Sequence, residues 1–113
     1  MLNQVFTPEQ LETIQLNVLA LMCYAKKHDA NTPPHWFRHC ERIVGNIDIS
    51  RDGGYAESSE LTELIKSDWR SACHFRAGLP EYYIPNDEPE IRKSVNIAFH
   101  KQVASIEEYI NAQ

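Results

Sequence analysis

From Asp87 to the end of the chain, Ile91, Val95, Ala98, Phe99, Val103, Ile106, Tyr109 and Ile110 recur at helical spacing. On a helix turning about 100° per residue they gather into one apolar stripe, whereas a strand would scatter them over both its faces. A stripe of this length has to be covered, so the rest of the chain must supply amphipathic partners. Its start is also marked: Asp87 with Glu90 three residues on forms a capping pair, and Pro89 suits a first turn.

Three earlier stretches carry the same period. Thr7-Pro8-Glu9-Gln10 opens the first, with Thr7 as cap and Gln10 reaching back to it. Leu11, Ile14, Val18, Leu21, Met22 and Ala25 then form a stripe that Leu16, Leu19 and Cys23 extend, which predicts a helix packed on two sides. Lys26, Lys27 and His28 complement the dipole of its last turn. Asn31-Thr32-Pro33-Pro34 opens the second, with Thr32 as cap and the prolines in the first turn. Trp36, Phe37, Cys40, Ile43, Val44 and Ile47 share its inner face. Gly45 or Asp52-Gly53-Gly54 ends it, and residues 50–56 are the most flexible stretch expected. Ser58 or Ser59 caps the third, whose stripe is Leu61, Leu64, Ile65, Trp69, Ala72 and Phe75, with Gly78 as a left-handed stop.

The segment from Leu79 to Asp87 holds Pro80 and Pro85, which remove donors and push the preceding residues towards extended geometry. It is expected to be a structured loop or arm. The prediction is an all-α, bundle-like domain of four helices, over roughly residues 8–28, 33–47, 59–77 and 88–111, with a proline-bounded loop before the last. At 113 residues, 42% hydrophobic and 24% charged, the chain can build one core and has no tract that would divide it.

Three well-separated cysteines, Cys23, Cys40 and Cys73, form no disulfide framework and suit a reducing compartment, so a cytoplasmic protein is expected. They fall near apolar faces, where thiols act as small hydrophobes with raised pKa. No segment approaches the roughly 20 apolar residues of a membrane span. A formal net charge of −5 disfavours nucleic-acid binding and suits a basic protein partner.

Polar residues that interrupt this pattern are the candidates for chemistry. His35, Arg38, His39 and Arg42 share one flank of the second helix. Arg38 and Arg42, one turn apart, can fork onto a phosphate or a partner's carboxylate. His35 and His39 could ligate a metal, but no third ligand is designated, so no metal or other cofactor is assigned. Asp68 and Gln102 interrupt apolar stripes, and a buried Asp68 needs hydrogen bonds or a cation, as part of an internal network or as a catalytic acid or base. His74 and His100 project away from the stripes and read as surface histidines. Arg70 and His74 resemble the Arg-then-His pair of helical HEPN-type ribonucleases but stand closer together than that pattern requires, so no activity is read from them.

No phosphate loop, nucleophile elbow or zinc-finger spacing occurs, and no catalytic residue is assigned. The expected function is that of a small accessory protein that binds a protein partner, as an inhibitor, immunity or phage-type regulatory protein does. Tyr82, Tyr83 and Ile84 in the arm, with Arg38 and Arg42, are the expected contact residues. The alternatives are a nucleic-acid-binding regulator using the second helix's basic flank, a homodimer that joins two such flanks, and a metal-binding protein at His35 and His39.

Overall fold

The capping signal at Thr7 folds as its sequence dictates. In the computed structural model, which describes residues 5–29, 35–74 and 78–112, the Gln10 N–H donates to Thr7 Oγ1 and the Thr7 N–H to Gln10 Oε1. Helix α1 runs Pro8–His28, α2 His35–Asp52, α3 Ser58–Ala72 and α4 Pro89–Ala112, and a single 3₁₀ turn, Leu79–Glu81, precedes α4. The molecule is all-α, and its four helices enclose one shared core.

Helix α1 packs against both α2 and α4, and α2 packs on α3. Trp36, Phe99, Leu11, Ile14, Leu21, Ile43, Ile47 and Ile65 are fully buried among them. Burying side chains of this size contributes about 1.5–3 kcal/mol each before entropy is counted. Phe6, ahead of α1, joins the core, and its N–H donates to Thr62 Oγ1 of α3 at 3.0 Å. The chain's entry is thereby tied to a helix far along the sequence. Trp69 Nε1 donates to Glu107 Oε1 at 2.6 Å and joins α3 to α4.

Several local expectations are corrected. Leu16, Leu19 and Cys23 stay exposed, because both neighbours of α1 meet the stripe through Leu11 to Ala25 and leave its second apolar face uncovered. Helix α2 continues through Gly45, past the expected end near 47, and stops at Asp52, the second of the two breakers expected. One glycine costs about 1 kcal/mol in a helix interior, less than the burial of Ile47 beyond it contributes. The turn follows at Gly53–Glu57, where Gly54 and Tyr55 have φ of 70° and 61° and the Tyr55 N–H closes on the Ser50 carbonyl. Glu57 precedes α3 without a side-chain cap, and the Ser58 hydroxyl instead donates back to the Tyr55 carbonyl.

Helix α3 ends at Ala72, short of 77, and Gly78 is not left-handed (φ −91°). Gly78 is required for space: a Cβ there would fall 1.9 Å from the His74 carbonyl oxygen. Leu64 of the expected stripe is exposed. Before α4, the Glu88 N–H bonds Asn86 Oδ1. Thr32, Pro33 and Pro34 of the expected α2 start, and Phe75 of the α3 stripe, lie outside the described residues. Among the described residues no helix is long and apolar enough to cross a membrane.

Candidate functional site

Helices α2 and α3 form an antiparallel hairpin, and the features with chemical or contact potential lie along its seam. Where the start of α2 meets the second half of α3, buried Asp68 accepts from Arg42 Nη2 at 2.8 Å and Nε at 3.2 Å. His39 Nδ1 is 3.1 Å from the same carboxylate oxygen, and His39 Nε2 is 3.3 Å from His35 Nε2. A carboxylate only accepts, so His39 Nδ1 donates to Asp68, which leaves Nε2 facing His35. The result is a chain from Arg42 through Asp68 and His39 to His35, ending at a surface depression lined by His35, His39, Ser71 and His74. Asp68 is therefore part of an internal network, one of its two expected roles. Among the described residues no cluster of three His, Cys, Asp or Glu is placed to enclose a metal.

At the other end of the seam, the last turns of α2 and the first of α3 splay into a groove of about 240 Å³. Ile49 and Leu64, 72% and 50% exposed, face it with Leu61, Gly53 and Ala56, and Glu57 and Glu60 stand on its rim. Glu60 and Leu64 also line an adjoining depression with Glu63 and Arg70. The lining is mostly apolar, with Asn46, Ser50 and the two exposed glutamates as its polar members.

The arm between the 3₁₀ turn and α4 divides the three expected contact residues. Ile84 is buried, at 1% exposure. Its N–H donates to Asn96 Oδ1 at 2.7 Å and its carbonyl accepts from Asn96 Nδ2 at 2.9 Å, so one amide side chain pairs it as a neighbouring strand would. Tyr82 is half-buried, with its ring against Trp36 and Phe99 at centroid distances of 5.2 Å. Its hydroxyl donates to Asp29 Oδ2 at 2.6 Å, and burial beside that carboxylate pushes the phenol well above its ordinary pKa. Tyr83 points outward, 57% exposed. His100, expected on the surface, is half-buried and donates from Nε2 to the Tyr82 carbonyl at 2.8 Å, while His74 is exposed as expected. Gln102 is half-buried and Arg38 exposed.

The thiols of Cys40 and Cys73 are pushed up to about 12. Burial dominates at both, with Cys73, Asp68 and Glu41 adding negative charge around Cys40 and Glu107 around Cys73. Neither is a ready nucleophile, since the thiolate is the reactive form. Cys23, by contrast, is exposed on α1.

Two polar braces were not singled out from the sequence, although the reasoning that found Asp68 applies to both. Gln15 sits in the α1 stripe and donates to the Val44 carbonyl and to Asp48 Oδ1, while Arg51 binds Glu12, Gln15 and Asp48. Asn96 lies between Val95 and Phe99 on the apolar side of α4. The groove had a signal too: Ile49 is an isoleucine on the polar side of α2. No family profile, curated protein or solved structure matches this chain.

Proposed function

We propose that this protein acts by binding a protein partner, and that the α2–α3 groove receives a basic, amphipathic segment of it. The observation that carries the reading is the pairing of Ile49 and Leu64, two large apolar side chains left in solvent on facing walls, with Glu57 and Glu60 on the rim. An apolar floor favours burial of a partner's aliphatic or aromatic side chains, and an acidic rim selects lysines and arginines around them while repelling acidic segments. A net charge of −5 steers such a partner towards the molecule.

Tyr82 and Ile84 support the fold in this reading, and Tyr83 is the arm residue left to contact a partner. Nucleic-acid binding draws less support, because Arg42 is paired with Asp68 and the groove between α2 and α3 carries Glu57 and Glu60.

The test uses two 18-residue helical peptides with the same leucine stripe, one with lysines and one with glutamates on the polar face, added to ¹⁵N-labelled protein. The lysine peptide is expected to shift amides from Asn46 to Leu64 and the glutamate peptide to leave them in place. Shifts from both peptides alike, or shifts confined to other surfaces, would overturn the proposal.

A further inference from the structure

We propose that His35 and His39 form a binding site for a divalent transition-metal ion of the zinc type, with Asp68 as the outer carboxylate that orients His39. The site lies at the far end of the α2–α3 seam from the groove and uses none of its residues.

Three observations converge. Two imidazole nitrogens held about 2.0–2.1 Å from a tetrahedral zinc stand roughly 3.3–3.4 Å apart. His35 Nε2 and His39 Nε2 are 3.3 Å apart, on successive turns of one helix whose backbone holds them there. The two rings meet edge to face, with an interplanar angle of 80° and centroids 5.0 Å apart, so both Nε2 atoms converge without stacking. Spacing of i and i+4 alone makes such a pair neighbours; it does not turn the nitrogens towards each other.

The second observation is Asp68. Metal-binding histidines characteristically donate their other ring N–H to a carboxylate, which fixes the tautomer and raises the basicity of the ligating nitrogen. Asp68 Oδ1 stands 3.1 Å from His39 Nδ1 in that role, and Arg42, bound to the same oxygen, holds the carboxylate in place. His39 is thus committed to offering Nε2. A metal replaces the proton that His35 shares with it, and His35 adopts the other neutral tautomer with its proton on Nδ1.

The third is access. His35 is exposed, and the depression that His35 and His39 line with Ser71 and His74 opens to solvent. The remaining coordination positions then belong to water or to a small anion, which makes this an open site. Imidazole donors suit zinc, copper and nickel, while calcium and magnesium require oxygen donors.

The experiment is a Zn²⁺ titration of the full chain, read on the histidine ring resonances in long-range ¹H–¹⁵N spectra, with Mg²⁺ in parallel. The proposal expects saturable movement of the His35 and His39 Nε2 signals at one zinc per chain and none with Mg²⁺. His35→Ala, a surface change that leaves the fold intact, should weaken zinc binding by at least about tenfold, the loss of one ligand. Asp68→Asn should weaken it about 10–100-fold, as expected for an orienting carboxylate, with circular dichroism checking that the helices persist. Unchanged affinity in His35→Ala, or zinc-dependent shifts that fall on His28, His74 or His100 alone, would overturn the site. Unchanged affinity in a folded Asp68→Asn chain would remove Asp68 from it.

Discussion

Asn96 is the residue on which the arm depends most directly. Its side chain satisfies both backbone groups of buried Ile84 and also donates to the Arg92 carbonyl. Asn96→Ala leaves the Ile84 N–H and C=O buried without partners, at a cost of about 1–3 kcal/mol. Hydrogen exchange at the Ile84 amide should accelerate more than exchange in α1, and equal protection of that amide in the variant would contradict the role. A second residue-scale prediction concerns alkaline pH. Cys40 and Cys73 hold their protons up to about 12 in the fold against 9.0 for an ordinary thiol, and Tyr82 is raised from 10.0. The folded state therefore binds these protons more tightly than the unfolded chain does. Their contribution is fully present below about pH 9 and is lost as pH rises towards 12. Urea unfolding should show stability falling between pH 9 and 11, with a shallower fall in Cys40→Ala. A flat profile in the native sequence would refute the burial argument.

At the scale of elements, four helices were legible in the sequence because a helical apolar period marks each, reinforced where Thr7 with Gln10 caps α1 and Pro89 begins α4. Boundaries were read poorly where tertiary contacts decide them. Gly45 looked like a stop because local propensity disfavours glycine, yet burial of Ile43 and Ile47 carries α2 across it. Gly78 looked like a helix stop because glycine so often fills that role, but its need comes from the backbone of Ala72 and His74 lying against it. Gly78→Ala should consequently destabilise the fold by about 1–3 kcal/mol through overpacking, measured as a lower midpoint in urea. A glycine serving only as a flexible joint would tolerate alanine and gain slightly from it. The site was legible in part. Asp68, His35 and His39 announced themselves as polar residues in telling positions, but which of them meet depends on the α2–α3 crossing, and that is not written in either helix alone. Leu16, Leu19 and Cys23 show the same limit in reverse: an apolar face can be read from sequence, but the neighbour that would cover it cannot.

In the whole molecule, the two ends of the α2–α3 seam are chemically opposed. Arg38, Arg42 and the paired histidines lie at one end, and an apolar groove with a glutamate rim lies at the other. The arm closes the bundle through Tyr82 and Ile84 and leaves Tyr83 as its outward-facing aromatic. The proposed partner binding uses the groove, with the arm in a supporting role, and a single comparison separates the two. The affinity of the lysine-and-leucine peptide is to be measured by calorimetry for the native sequence, for Ile49→Asp with Leu64→Asp, and for Tyr83→Ala. Both aspartates replace exposed side chains, so the fold should persist. The groove predicts a loss of at least about tenfold, or 1.4 kcal/mol, in the double variant and little change in Tyr83→Ala. Binding that survives the two aspartates and disappears with Tyr83→Ala would contradict it.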